Sequence, residues 1–252
     1  GGAAGAAGPV TMRINVVTLF PDFFRGPLGL SIPARAAAAG LVRYELVQLR
    51  DFTHDRHQTV DDLPYGGGAG MVLMAEPILK AVYYALGKKR SPKTKVAILS
   101  AKGKQFNQKI AYDWAKKYDR IVLISGRYEG VDERVKNILH AEEISMGPYV
   151  LTDGDVAAMA IISAVSRLVP GVIRLESLKE ESHWNLLLKR EANSRIHPGA
   201  TPGMANGLEY PHYTRPEILK WPPGKGGKTY RVPKVLLSGN HKKIAEWRGR
   251  HV

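Results

Sequence analysis

The chain has 252 residues, enough for a full α/β core and a small second domain, and its 44% hydrophobic and 24% charged residues are ordinary for a globular protein. It contains no cysteine, which excludes disulfides, thiolate catalysis and cysteine-ligated zinc. No apolar run approaches the roughly 18 residues of a membrane span, so we expect a cytoplasmic protein without a membrane partner. Residues 1–11 lack the basic start and leucine-rich core of a signal peptide, and we interpret them as a leader or flexible extension.

Positive charge is concentrated in two blocks of a chain whose formal net charge is +14. Residues 212–252 contain ten Lys and Arg against two Asp and Glu, and residues 88–120 contain eleven against two. A polyphosphate partner would explain both blocks through Coulomb attraction and counterion release. Lysine-rich helix faces that only keep the protein in solution are the alternative, so charge alone leaves nucleic-acid binding open.

Short apolar runs alternate with helical patterns over the first two-thirds of the chain. Strands are predicted at residues 13–20, 42–49, 96–100, 120–125 and 143–145. Helices are predicted at residues 32–39, 76–86, 105–118, 132–139 and 155–168. This alternation predicts a mostly parallel sheet covered by helices on both faces, in a domain at residues 12–172.

The last third of the chain has a weaker pattern. We interpret residues 173–203 as a flexible linker and residues 204–252 as a small, basic, α-helical domain. Within it, residues 213–219 are predicted to begin a helix, with Pro216 near its start. A loop rich in Pro, Gly and Lys follows, and Ser238 is predicted to cap a last helix that reaches Trp247.

Two glycine-rich regions stand out. Residues 65–70 resemble a phosphate-binding loop, but the preceding residues are polar and no Gly-Lys-Ser/Thr follows, so we interpret them as a mobile hinge able to close over a substrate. Residues 125–130 and 146–151 follow two predicted strands, where open α/β sheets bind their ligands. Ordinary turns between strand and helix are the alternative for the second region.

A series of short motifs runs along nearly the whole chain after Met12. They comprise residues 19–21, 50–57, 60–62, 64–68, 70–71, 126–134, 149–151, 166–172, 211–216 and 236–241. In sequence and in order, they resemble the TrmD family of bacterial tRNA (guanine-N1-)-methyltransferases, of the SPOUT class. Any one of them could occur by chance, but the ordered set identifies the resemblance.

The resemblance implies an α/β fold whose sheet is tied into a deep trefoil knot. It implies a homodimer with shared active sites, which transfers a methyl group from S-adenosylmethionine to N1 of the guanosine immediately 3′ of the anticodon, position 37 of tRNA. The implied cofactor-binding residues are Ser100, Gly126, Tyr128, Glu129, Met146, Gly147, Tyr149, Leu151 and Gly154. A noncatalytic tRNA-binding relative, which would keep the basic blocks but not bind the cofactor, is the alternative.

Methylation at N1 requires removal of the N1 proton and stabilisation of negative charge on the neighbouring carbonyl oxygen, tasks that suit a carboxylate and a guanidinium. Arg167 matches the family's catalytic arginine. Glu181 is the implied base, because it precedes a serine where the family commonly has aspartate; Glu180 is the second choice. The alternative to a catalytic base in this segment is that residues 176–181 form an acidic run on the surface, in which no single carboxylate is catalytic.

The resemblance also implies contacts to the substrate. The residues concerned are Asp61, Arg127, Tyr213, Arg215, Asn240 and His241. The His and Asp residues near Asp61 do not have the spacing of a three-ligand zinc set, so no metal site is predicted, and a supporting role of Mg²⁺ is left open. Three departures from the family pattern matter: Ala101 and Ala69 stand where relatives usually have Pro, and, more seriously, Asp153 stands where they have the first glycine of a pair near the methionine end of the cofactor. Asp tolerates a positive φ better than most residues, and its carboxylate is expected to face the sulfonium or amino group.

Overall fold

The computed structural model describes residues 12–67, 69–87, 91–174, 177–178, 211–221, 223 and 226–250. The chain divides into two compact units, Gly1–Ile173 and Arg174–Val252. The predicted leader, most of the predicted linker, Glu180 and Glu181 lie outside the described residues.

The first unit is built on a five-stranded sheet with strand order β2-β1-β6-β5-β7, in which every neighbouring pair is parallel. Its strands are β1 (Met12–Thr18), β2 (Val42–Gln48), β5 (Thr94–Gln105), β6 (Arg120–Ser125) and β7 (Glu142–Ser145). A separate antiparallel hairpin joins β3 (Asp61–Asp62) and β4 (Val72–Leu73). The mostly parallel α/β sheet is confirmed; the trefoil knot stays a prediction.

Six helices of the described part of this unit pack on the sheet. They are α1 (Asp22–Leu28), α2 (Ser31–Ala38), α3 (Ala75–Leu86), α4 (Gln108–Lys117), α5 (Glu133–Leu139) and α6 (Gly154–Ser166). The α3 side of the core is formed by alternate β-branched residues of the strands, such as Val17, Val47 and Val122, which meet the buried face of α3. Helices α1, α2 and α4 instead contact α6.

Two features of this unit were not predicted. Helix α1 contains Gly26 and Pro27, residues that normally argue against a helix, and it begins after Pro21 with no side-chain cap. A 3-10 helix (Leu49–Phe52) follows β2 directly, within the stretch interpreted as strand end and polar loop. Tertiary packing, through the buried Phe24 and Leu49, outweighs local propensity at both places.

The second unit adds a two-stranded hairpin to the small, basic, α-helical domain that was predicted. It contains an antiparallel hairpin of β8 (Ile218–Trp221) and β9 (Lys228–Arg231), then α7 (Lys234–Leu237) and α8 (His241–Arg250). The helix predicted to begin within residues 213–219 is wrong, because β-favouring residues on both sides of a Pro- and Gly-rich turn form strands instead. The cap of the last helix is Asn240, not Ser238: its Oδ1 accepts a hydrogen bond from the backbone N–H of Lys243 (3.1 Å).

Candidate active site

A cavity of about 340 Å³ opens where the carboxyl ends of β5, β6 and β7 meet the first turn of α6. Eight of the nine residues implied as cofactor-binding line it: Ser100, Gly126, Tyr128, Glu129, Met146, Tyr149, Leu151 and Gly154. Gly147 is not among the lining residues that the structure describes. The cavity therefore gathers residues that are separated by more than fifty positions in sequence.

One side of the cavity is a bulge in β5. The pairing of β5 with β7 shifts between Leu99 and Lys104, both opposite Ile144, so Ser100–Gly103 leave the ladder and turn toward the cavity. A Cβ on Gly103 would lie 2.5 Å from the backbone carbon of Glu143, so only glycine fits this close approach. The sequence prediction ended the strand at Ser100 and missed Gly103; the glycine within a strand pattern was the available signal.

The first of the two predicted ligand loops, residues 125–130, meets α6 at Gly126. The backbone N–H of Gly154 donates to the carbonyl of Gly126 (2.8 Å). A Cβ on Gly154 would lie 2.7 Å from the nitrogen of Gly126 and 2.8 Å from Cα of Ser125. This contact between bare backbones holds the first turn of α6 against the end of β6, at the base of the cavity.

The turn after β7 is fixed by the hydroxyl of Ser145. It donates to the carbonyl of Gly147 (3.0 Å) and accepts from the N–H of the same residue (3.2 Å). The ring of Tyr149 covers Gly147, since a Cβ there would meet a ring carbon at 2.6 Å. Gly147 thus lies beneath Tyr149, which forms the half-exposed rim of the cavity.

Asp153 has two partners. Its Oδ1 accepts from the N–H of Asp155 (2.9 Å) and caps α6, and its Oδ2 lies 3.1 Å from the guanidinium of Arg127. Its backbone is extended, with φ −161°, so the tolerance of Asp for a positive φ is not used there. Arg127 also stacks on Phe20, with 4.4 Å from Cζ to the ring centroid.

A buried carboxyl group lies next to the cavity. Asp155 is 2% exposed, and its Oδ1 accepts from the hydroxyl of Thr18 (2.7 Å). Burial raises the pKa of Asp155, and hydrogen bonds from Thr18 and Ser125 oppose that rise. The sequence analysis did not single out this residue, although an acidic side chain inside an otherwise apolar helix was a visible signal.

Four charged side chains form a closed ring along the lining. Lys102 lies 2.9 Å from Glu133 and 3.2 Å from Glu143, and Lys136 lies 3.2 Å from Glu133 and 2.7 Å from Glu143. Hydrogen bonds to the carboxylates raise the pKa of Lys102 and Lys136, and those from the lysines lower the pKa of Glu133. The ring ties the β5 bulge, α5 and β7 together around the cavity.

The glycine-rich segment 65–70 is the connection of the β3–β4 hairpin. Its far end contacts the turn that carries Tyr128, which has a positive φ of 56°: the N–H of Glu129 donates to the carbonyl of Met71 (3.0 Å). Asp61 pairs with Leu73 in the hairpin and does not belong to the described lining of the cavity. The predicted hinge motion stays a prediction.

Arg167 lies away from the cavity of its own chain. It follows the last residue of α6, whereas Gly154 begins that helix, so the two are separated by roughly 20 Å along the axis. The preceding residue, Ser166, is held by the hydroxyl of Tyr44 at 2.9 Å. The described lining does not include Arg167.

The remaining substrate candidates belong to the second unit. The ring of Tyr213 packs edge-on against Trp247, with 6.2 Å between centroids. Asn240 caps α8, as described above, and Arg215 and His241 are exposed. In the parts of the chain that the structure describes, no three His, Asp or Glu side chains are arranged to hold a metal ion, and no helix has both the length and the apolar character to cross a membrane.

Comparison with known proteins decides the family. The family described as tRNA (Guanine-1)-methyltransferase TrmD matches residues 12–252. The chain belongs to this family. A tRNA (guanine-N(1)-)-methyltransferase of Thermomicrobium roseum is 50% identical over 237 residues, covering 94% of this chain and 77% of the relative.

Two further relatives carry the same name. That of Carboxydothermus hydrogenoformans is 46% identical over 94% of this chain and 81% of its own length. That of Dictyoglomus turgidum is 47% identical over 94% of this chain and 83% of its own length. Membership of the TrmD family makes the chain a methyltransferase, and the cavity at the strand ends is its candidate catalytic centre.

Proposed function

We propose that this enzyme transfers a methyl group from S-adenosylmethionine to N1 of the guanosine immediately 3′ of the anticodon, position 37, in tRNA, and that it does so in the cytoplasm as a homodimer. The observation that carries the proposal is the convergence of eight implied cofactor residues on one cavity in a chain of the TrmD family. S-adenosylmethionine, when bound, supplies an electrophilic methyl group on its sulfonium sulfur.

The cavity suits that cofactor in size and character. Its volume of about 340 Å³ lies within the range of small-molecule pockets. Leu99, Ile144, Leu151 and Ala157 provide apolar lining for a purine, and the close backbones at Gly126 and Gly154 provide peptide groups for hydrogen bonds. Arg127 already has Asp153 as its partner, which keeps an unpaired positive charge away from a sulfonium.

The chemistry assigned to the protein is proton removal and charge stabilisation. Glu181 would accept the N1 proton of guanine as N1 is methylated, and S-adenosylmethionine held by the residues that line the cavity would supply the methyl group. Arg167 donates hydrogen bonds to the carbonyl oxygen on which negative charge grows. The aligned approach of nitrogen and methyl group adds the advantage of positioning.

The position of Arg167 supports the proposed homodimer. Because roughly 20 Å of helix separates it from the cavity of its own chain, the partner's Arg167 completes each site. Helix α6 also presents an exposed stripe of Val156, Ala160 and Ser163 at helical spacing, and Phe23 of the adjoining α1 is 42% exposed. An apolar stripe of this kind suits a two-fold contact between identical helices.

The substrate side is assigned to basic and aromatic residues. Arg215, His241 and the exposed Tyr213 provide phosphate and stacking contacts to tRNA, while Asn240 keeps its amide nitrogen available beyond its capping bond. Asp61 and Arg127 are assigned contacts near the target base. The supporting role of Mg²⁺ that the sequence analysis left open stays a prediction, and it is measured by adding a chelator to the assay.

The test is methyl transfer to unmodified tRNA, comparing guanosine with adenosine at position 37. The expected product is 1-methylguanosine, identified by nucleoside mass spectrometry, with no transfer to adenosine. Transfer to another position or another atom would overturn the proposal. Titration calorimetry with S-adenosylmethionine distinguishes the two functions. An enzyme is expected to bind the cofactor saturably, whereas a noncatalytic tRNA-binding relative is expected not to bind it.

A further inference from the structure

A second recess lies at the opposite edge of the sheet, at the amino ends of β1, β2 and β6. Its volume is about 540 Å³, and Arg13, Arg43 and Arg120 line it together with Glu45 and the last turn of α3. Because β1 is seven residues long, the recess lies roughly 20 Å from the carboxyl edge that holds the candidate active site. The function proposed above makes no use of this surface.

The three arginines form one row. Arg13 is the register partner of Arg43 on one side and of Arg120 on the other. Register partners in parallel strands project from the same face of a sheet, which here is the face that α3 covers. The row spans about 10 Å across three strands, wider than a single phosphate group, which favours a ligand that carries several negative charges.

The row has more positive charge than its surroundings neutralise. The Nε of Arg43 lies 2.7 Å from Oε1 of Glu45, whose other oxygen is held by the buried amide of Asn15 at 2.6 Å. Arg120 donates to the carbonyls that end α3, those of Ala85 and Leu86. Arg13 is half-buried as a residue, and among the described residues its guanidinium makes neither a hydrogen bond nor an ion pair.

We propose that this recess binds the phosphodiester backbone of RNA, as a second contact surface for the tRNA substrate at a distance from the reacting base. The identity of the RNA rests on the proposed function. A guanidinium presents paired N–H donors that match two phosphate oxygens, and Arg13 has these donors unused. At neutral pH the three guanidinium groups and the one carboxylate of the recess are all ionised, so the recess has a net charge of about +2. This charge attracts a polyanion.

The test measures the affinity of unmodified tRNA at several salt concentrations, without cofactor. Arg13→Gln is expected to weaken binding several-fold and to lower the salt slope by about one, whereas Arg13→Lys keeps the slope. Glu45→Gln, which removes the only carboxylate of the described recess, is expected to tighten binding. Arg25→Gln, in an exposed pair with Asp22 on α1, is the matched control and is expected to change neither quantity.

An unchanged salt slope in Arg13→Gln, or weaker binding in Glu45→Gln, would overturn the inference. Each variant is first compared with the parent in thermal unfolding, and the Arg13→Gln and Arg13→Lys pair decides the matter should Glu45→Gln fold poorly. Because binding is measured without methyl transfer, an enzyme that binds tRNA through the row but does not methylate guanosine 37 would contradict only the proposed function.

Discussion

The carboxylate of Asp153 joins two parts of the site, capping α6 with one oxygen and pairing with Arg127 at 3.1 Å through the other. Asp153→Ala removes both interactions and is expected to lower the free energy of unfolding by about 1 to 2 kcal/mol. Asp153→Asn keeps a good capping residue and loses only the ion pair, so its loss should be under about 1 kcal/mol. Urea unfolding of both variants checks this, and equal losses would show that the cap contributes nothing.

The buried carboxyl group of Asp155 makes the free energy of unfolding depend on pH, and the sign of this dependence follows from the direction of its pKa shift. Because burial raises its pKa, the native state binds this proton more tightly than the unfolded chain. The protonated carboxyl group therefore stabilises the native state. This contribution is complete below the ordinary pKa of 3.8 and is lost as the pH rises through the raised pKa of Asp155. Asp155→Asn should therefore be more stable than the parent at pH 7, with the difference shrinking toward pH 4.

Asp132→Asn is the matched control for this pH dependence. A hydrogen bond from Arg134 lowers the pKa of Asp132, so its stabilisation is present above the ordinary pKa and is lost as the pH falls through the lowered one. This variant should be less stable than the parent at pH 7. Thermal unfolding from pH 4 to 7 measures both differences, and differences of the same sign would contradict the assignment.

The close approach at Gly103 predicts a strong effect of one methyl group. In Gly103→Ala the new Cβ would lie 2.5 Å from backbone of β7, so the bulge must move. We expect a loss of stability of about 1 to 3 kcal/mol and weaker binding of S-adenosylmethionine. Gly26→Ala is the control, since no atom lies within 4 Å of its Cβ and alanine favours α1. A Gly103→Ala variant as stable as Gly26→Ala would place the bulge elsewhere.

These variants also mark what the sequence could and could not predict. The bounds of β6 are predicted to the residue, because Arg120–Ser125 is a buried apolar run between polar turns. Gly103 signals an irregularity in β5, but the place of the register shift after Leu99 could not be predicted, since it depends on the neighbouring strand β7. The strand β8 was missed although its pairing with β9 is local, because Pro216 was interpreted as the start of a helix and not as a residue before a hairpin.

The candidate site also has features that the sequence predicted and features that it did not. The family motifs predicted eight residues that line the cavity, several of which follow the carboxyl ends of β6 and β7. They did not indicate that Asp153 would pair with Arg127, because the pattern that the resemblance implies has glycine, which carries no carboxylate, at that position. The ring of Lys102, Glu133, Lys136 and Glu143 brings together residues of three elements, β5, α5 and β7, and only the fold shows that they meet.

The choice of base is tested by two neutral substitutions. Glu181→Gln is expected to lower the rate of methyl transfer by about 10²- to 10⁴-fold, because glutamine cannot accept the N1 proton. Glu180→Gln, one residue away, should leave the rate within a few-fold of the parent. Single-turnover rates with saturating cofactor and tRNA measure both. A parental rate in Glu181→Gln would mean that another group removes the proton.

The assembly of one catalytic centre from two chains is tested most directly by mixing two inactive variants. Arg167→Ala keeps the cavity but loses the guanidinium, and Leu151→Trp fills the cavity but keeps Arg167; calorimetry verifies which of them binds S-adenosylmethionine. When the two variants are refolded together in equal amounts, half of the dimers contain one chain of each variant. Each of these mixed dimers has one complete catalytic centre. We predict about a quarter of the parental activity, by this symmetry argument. A mixture as inactive as its two components would contradict a shared active site.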